Sequence, residues 1–243
     1  MYYRIKVSFV IPIYNEQERI VSLISELESF VKAQTFIQEY EIIVVDDGST
    51  DNAIFELNKV QSSNLRLFRL LNNHGKGFAL RFGVLKAKND VIILLDGDGS
   101  HTPHFAIKML KFYLKLTKLY SQDLMIVGTR FSRSTDGKTA LNATNTIGNK
   151  FFNIIISKIF NISVTDSLSG LRVIKKNHFL NLMIKSVGFD IEIEMTLKYL
   201  KSGMKIIEVP YCVEKRFFGK SRLKIFKDGF IIFSRMIKTL IFP

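Results

Sequence analysis

Five short aliphatic and β-branched runs, Val7–Ile13, Ile42–Val45, Leu65–Leu71, Val91–Leu95 and Leu124–Val127, constrain this chain more than any other feature of its sequence. Most are separated by helix-length stretches, and runs apolar on both sides of the pleat belong to strands buried on both faces, as in parallel sheets. Helices are expected near 16–33, 50–61, 76–88 and 103–118. The expectation is therefore an α/β fold: a single doubly wound, mostly parallel sheet with helices on both faces. After about residue 140 the alternation stops. An apolar helix near 145–160, a polar loop through Asp166–Arg172, a helix near 189–201 and a C-terminal amphipathic helical appendage are expected there.

In a doubly wound sheet, ligands bind beyond the carboxyl ends of the strands. Polar residues collect at those ends here: Tyr14-Asn15-Glu16, Asp46-Asp47-Gly48-Ser49, Asp96-Gly97-Asp98 and Gly128-Thr129-Arg130. Asp96 and Asp98, one residue apart after a buried strand, suit a hard cation held against a diphosphate, and both Mg2+ and Mn2+ accept such oxygen ligands. Asp and Gly are also ordinary turn residues, so the triplet gains its meaning from its neighbours. Asp46 and Asp47 are placed to meet a base or ribose, with Ser49 or Thr50 expected to cap the following helix. Gly75-Lys76-Gly77 offers backbone amides and an ammonium to phosphate without matching a full phosphate-loop pattern. For His101 and His104 two readings stand, metal contact or a solvent-facing capping role. Glu194, near the start of a helix, is read first as a complement to the helix dipole.

The formal net charge is +13, and residues 198–243 hold eleven Lys/Arg against three acids. A basic surface serves nucleic acid, anionic lipid or anionic substrates. Clustered carboxylates at strand ends are of no use to a nucleic-acid binder, so that reading is set aside. Leu223–Phe242 mixes Leu, Ile, Phe and Met with Lys224, Lys227, Arg235 and Lys238, too many charges for a membrane span but suited to the headgroup region. Packing on the core is the alternative for that segment, and for the apolar run Phe151–Ile156. A single cysteine, Cys212, forms no intramolecular disulfide.

The stretches Ile11–Glu16, Val45–Ser49 and Asp96–Asp98 resemble glycosyltransferase family 2, which implies a GT-A fold. Gly75-Lys76-Gly77, Asp96–Pro103, Gly128-Thr129-Arg130, Asp166–Arg172 and Arg216–Arg222 are most similar to the polyprenyl- or dolichyl-phosphate hexose synthases of that family. The resemblance implies a nucleotide-sugar site at Pro12, Tyr14, Glu16, Val45, Asp46, Asp47, Lys76, Asp96, Gly97, Asp98 and Arg130. It implies a metal at Asp96, Asp98 and Ser100, and an acceptor phosphate at Arg130, Arg216, Ser221 and Arg222. Asp98, Asp166 and Arg130 would be catalytic. Gly97 and Gly99 replace the commoner Ala and Leu, Leu171 replaces Phe, and Arg222 stands where Lys is frequent.

The implied reaction is inverting transfer of a hexose from a UDP- or GDP-sugar to a polyprenyl phosphate, assisted by Mg2+ or Mn2+. A polysaccharide or protein hydroxyl is the other acceptor to weigh. The expected organisation is a transferase domain over residues 1–222 and an interfacial helix over 223–243. The chain is expected on the cytoplasmic face of a membrane, with a membrane-protein partner or a second copy left open.

Overall fold

The computed structural model describes residues 4–120, 124–130, 143–211 and 225–242. Its strands are β1 (Ile5–Ile13), β2 (Ile37–Asp46), β3 (Leu65–Arg69), β4 (Val91–Leu94), β5 (Leu124–Thr129), β6 (Arg172–Lys175) and β7 (Lys205–Pro210). Its helices are α1 (Ile20–Lys32), α2 (Ala53–Leu57), α3 (Lys76–Lys86), α4 (Pro103–Tyr120), α5 (Ala143–Phe160), α6 (Lys176–Asn181), α7 (Ile191–Lys201) and α8 (Ile225–Ile241).

One sheet takes the order β3-β2-β1-β4-β6-β5-β7. Every pair is parallel except those of β6, which runs antiparallel to both β4 and β5. The chain winds outward from β1 through β2 to β3, then returns to the other side of β1 with β4. The loops leaving β1 and β4 thus diverge and open a crevice at the switch point. Because β6 is reversed, its first residue, Arg172, lies at the same edge as the carboxyl ends of its neighbours, which brings Asp166–Leu171 to that crevice.

Strand alternation sorts the core. In β1, Phe9, Ile11 and Ile13 face a cluster with α1 and α4, while Val10 joins Ile43, Val45 and residues of α3 and α7 on the other side. Each such fully buried side chain contributes roughly 1.5–3 kcal/mol. On α1, Ile20, Leu23, Ile24, Leu27 and Val31 recur at helical spacing and are buried, while Ser22, Glu26 and Ser29 leave the stripe polar on its far side.

A third cluster joins α5, α7 and α8 through Phe152, Ile156, Ile193, Leu197, Ile232 and Met236. The core-packing reading of the C-terminal segment therefore holds for one face of α8. Ile232 and Met236, one turn apart, pack inward, while Phe230 and Ile241 are 72% and 67% exposed. The run Phe151–Ile156 splits likewise: Phe152 and Ile156 are buried, and Phe151 and Ile154 are exposed. The alternation does not stop at residue 140 as expected. β6, α6 and β7 follow, and the two strands complete the sheet.

Candidate active site

The first acidic loop is locked by its own chain. Asp47 accepts from the amides of His74 (2.8 Å) and Gly75 (2.7 Å), one on each oxygen, and so ties the end of β2 to the start of α3. Burial, together with the charge of Asp46, pushes the Asp47 carboxyl above its usual range against the pull of those amides. Asp46 is fully buried and accepts from Ser49 N at 3.0 Å, with Arg69 Nε 3.5 Å from its other oxygen. Gly48 permits the turn: its φ is +74°, and a Cβ there would lie 2.6 Å from the carbonyl carbon of Asn72.

Asn15, also at positive φ, fastens the loop after β1 to the same turn. Its side-chain oxygen accepts from Thr50 N (2.7 Å), and its amide donates to Ser49 Oγ (2.8 Å). Ser49 and Thr50 therefore do not cap α2 as expected. Asn52 occupies that position without a side-chain cap bond, and Asp51 accepts from Ala53 N nearby. The hydroxyl of Ser49 serves the β1 loop instead, because two orphan loops meet there.

The second acidic loop is held by an ammonium. Lys76 Nζ, at the first position of α3, lies 2.7 Å from Asp96 Oδ1 and 2.6 Å from Glu192 Oε1 of α7. Burial opposes ionisation of Asp96, but Lys76, His101 and Arg130 outweigh it and hold the carboxyl well below the usual range. Lys76 is correspondingly raised: desolvation disfavours its charge, and the two carboxylates more than restore it. Asp98 Oδ1 accepts from Ser100 N at 2.9 Å, which turns the loop back toward α4. Gly170 lets the loop before β6 reach Asp96, since a Cβ there would stand 2.6 Å from Asp96 Oδ2. His101 is buried, 3.8 Å from Asp96 Oδ2 and against the ring of Tyr211, and its pKa is lowered by that burial despite the nearby acids. The solvent-facing reading of His101 is thereby corrected, whereas His104 rests on the ring of Phe30.

Across the crevice, Arg130 at the end of β5 grips Asp166. Its main-chain N, Nε and Nη2 donate at 3.0, 2.7 and 2.7 Å, and Asn149 Nδ2 of α5 donates at 2.6 Å. Four donors on one fully buried carboxylate make Asp166 an anchor for Arg130. Burial depresses the Arg130 charge, but Asp166 more than offsets it. Glu208 of β7 holds the same loop by accepting from the amides of Thr165 and Asp166. Arg172 is fully buried and donates to the carbonyls of Ser169, Ser167 and Glu192, with its pKa lowered by desolvation to about 10.

At this edge of the sheet Lys76 and the loop of Gly170 meet Asp96, Arg130 meets Asp166, and Gly97, Asp98 and Ser100 continue the loop after β4. Tyr14 and Glu16 lie in the loop after β1, and Pro12 and Val45 are register partners near the strand ends, with the Val45 side chain in the core. Arg216, Ser221 and Arg222 lie outside the described residues. Glu192, Asn149, Glu208 and Tyr211 were not singled out as site residues by sequence. Each is brought in by a distant segment, so that no local pattern marks it. Among the described residues no group of three or more His, Cys, Asp or Glu side chains is gathered to hold a metal. Mg2+, however, is commonly held by one or two carboxylates plus substrate phosphates, a donor set whose chemistry Asp96 and Asp98 could supply.

The model of the glycosyl transferase family 2 matches residues 8–182, and the chain belongs to that family. It is 31% identical to the glycosyltransferase AglJ of Haloferax volcanii over 96% of this chain and 71% of that protein. It is 28% identical to a dolichyl-phosphate beta-glucosyltransferase of Drosophila melanogaster over 84% of this chain and 66% of that protein. The crystal structure of glucosyl-3-phosphoglycerate synthase from Mycobacterium tuberculosis, in complex with Mn2+, UDP and glucosyl-3-phosphoglycerate, superposes with a TM-score of 0.72 at 18% identity. That match covers 98% of this chain and 81% of that one, and shares the fold.

Proposed function

We infer that the chain transfers a hexose from a nucleoside-diphosphate sugar to a polyprenyl phosphate, with inversion at the anomeric carbon. The observation that carries this reading is the state of Asp166. Transfer to a hydroxyl wants a positioned base, whereas a phosphate monoester arrives largely ionised and needs orientation. Asp166 already accepts from Arg130 and Asn149 on both oxygens, which suits orientation and not proton uptake. The dolichyl phosphate in the name of the Drosophila relative supports the same choice.

In this reading the loops at Tyr14–Glu16 and Asp46–Asp47 frame the nucleoside. Asp96 and Asp98, with Ser100 beside them, would hold Mg2+ or Mn2+, which when bound draws charge from the departing diphosphate. Lys76 neutralises the same region from α3. Arg130, its planar guanidinium held in place by Asp166, orients the acceptor phosphate for attack opposite the leaving group. Arg216, Ser221 and Arg222 belong to the acceptor side by resemblance.

Helix α8 is the part of residues 223–243 that sits at a lipid surface. The exposed apolar face of α8 adjoins that of α5, with Phe151 and Phe233 ring centres 6.3 Å apart and Lys150, Lys158, Lys227 and Lys238 exposed on the same helices. Such a face binds at the headgroup level of an anionic cytoplasmic leaflet. No helix among the described residues is long and apolar enough to cross a membrane.

Incubation with radiolabelled UDP- and GDP-hexoses, Mn2+ and polyprenyl phosphate tests the proposal. Label is expected in the organic-extractable lipid. Label appearing only in water-soluble glycan would instead favour the hydroxyl acceptor.

A further inference from the structure

Three acids open α7 and are nearly inaccessible: Asp190, Glu192 and Glu194 are 3%, 4% and 1% exposed. The positive end of the helix dipole offsets only part of that charge, and each acid takes a cation from a different place. Arg235 of α8 donates from Nε to Asp190 Oδ2 at 2.8 Å and stands 3.8 Å from Glu194 Oε2. Glu192 takes Lys76 of α3, and Glu194 takes Lys198 of α7 itself at 2.9 Å.

The same acids organise the loop before α7. Glu194 accepts from the amides of Lys185 and Ser186 and from Ser186 Oγ, while Asp190 Oδ1 accepts from Gly188 N. That loop then backs the start of α3. Val187 O accepts from Phe78 N at 3.1 Å, and added Cβ atoms at Gly75 and Gly77 would fall 2.4 and 2.7 Å from the Val187 and Ser186 oxygens. One turn of α7 therefore carries contact from α8 to Lys76 by two routes, through the loop and through Glu192. Lys201, which holds the carbonyls of Thr239 and Phe242 at 2.9 Å, fixes the far end of α8 to α7 as well.

We propose that Arg235 is a positioning residue for the donor-phosphate loop, acting from α8 through the first turn of α7 on Lys76; this rests on the assignment of Lys76 and Asp96 to the donor site. Without Arg235, Asp190 and Glu194 keep their burial but lose a counter-charge, and the helix start must shift toward water. Lys76 moves with it. The helix read as the lipid-facing element is thereby mechanically joined to the site where the nucleotide binds.

The test uses the full chain, with UDP and GDP each titrated in the presence of Mn2+ by calorimetry. Arg235→Met should weaken binding roughly three- to thirtyfold. Arg235→Lys should recover most of that loss, and Lys238→Met, an equal change of charge on the exposed face of α8, should bind as the parent does. Parent-like affinity in Arg235→Met overturns the proposal, as does an equal loss in Lys238→Met. If Arg235→Met fails to fold, Asp190→Asn breaks the same pair from the α7 side and must show the same loss, and parent-like affinity there overturns the proposal. Hydrogen exchange at the Phe78 amide gives a nucleotide-free readout: Arg235→Met or Asp190→Asn should exchange faster there, and an unchanged rate contradicts the relay. A parent that binds neither nucleotide removes the donor-site assignment, whereas the relay itself still stands or falls on that exchange rate.

Discussion

The loops after β2 and β4 read almost alike in sequence, each a pair of aspartates with glycine, and the structure treats them in opposite ways. Asp47 has both oxygens taken by main-chain amides, which stay in place as long as the fold does. Asp96 is held by the side-chain ammonium of Lys76, a group with four rotatable bonds that shares itself with Glu192. A carboxylate satisfied by backbone is part of the frame. One satisfied by a side-chain cation has its charge matched by a group on another element.

The difference is open to attack from both sides. Asp96→Asn should lower transfer by roughly 10²- to 10³-fold, the scale for losing one group that stabilises transition-state charge. Its fold should survive, and steady-state transfer alongside thermal unfolding checks both. Asp47→Ala should do the reverse, destabilising the protein by about 3 kcal/mol through two orphaned amides and a lost charge-assisted pair, as read by urea unfolding. If Asp47→Ala left stability intact and removed transfer, the contrast would fail.

Asp166→Asn should cost about 10- to 100-fold in transfer, as for groups that orient another, whereas a loss equal to that of Asp96→Asn would mark Asp166 as a base. The smallest effect is in the pH dependence of stability. The lowered Asp96 pKa makes a contribution that is complete above the ordinary carboxylate range and lost as pH falls through the folded value, about 2. The raised Asp47 pKa has the opposite sign: its contribution is present below the unfolded carboxylate value and lost as pH rises through the folded one. Denaturation of Asp96→Asn and Asp47→Asn across the acid range should therefore change the slope of the parent's curve in opposite directions.

Much of the fold was legible because β1 through β5 are apolar runs with helices between them, and the polar strand ends pointed to one edge of one sheet. β6 and β7 were not. Arg172–Lys175 is four residues long, carries charge at both ends and begins at the last residue of what reads as a polar loop, and only its antiparallel pairing with β4 and β5 makes it a strand. The roles of the acids were hidden for a similar reason. Asp47 is satisfied by amides 27 and 28 residues away, and Asp96 by a lysine on another element, so identical local patterns end in different chemistry. Glu194 was read as a dipole complement, and its position allows that, but its carboxylate also ties down Lys185 and Ser186.

Electron paramagnetic resonance of Mn2+ with UDP or GDP separates the two acidic loops at their source. With the parent protein the free-ion signal should fall below that of the same Mn2+ and nucleotide without protein; with Asp96→Asn it should match that mixture at every nucleotide concentration, and with Asp47→Asn, kept folded at low temperature, it should fall below it once nucleotide is raised. Uptake of Mn2+ by Asp96→Asn equal to that of the parent would contradict the proposal that Asp96 holds the metal.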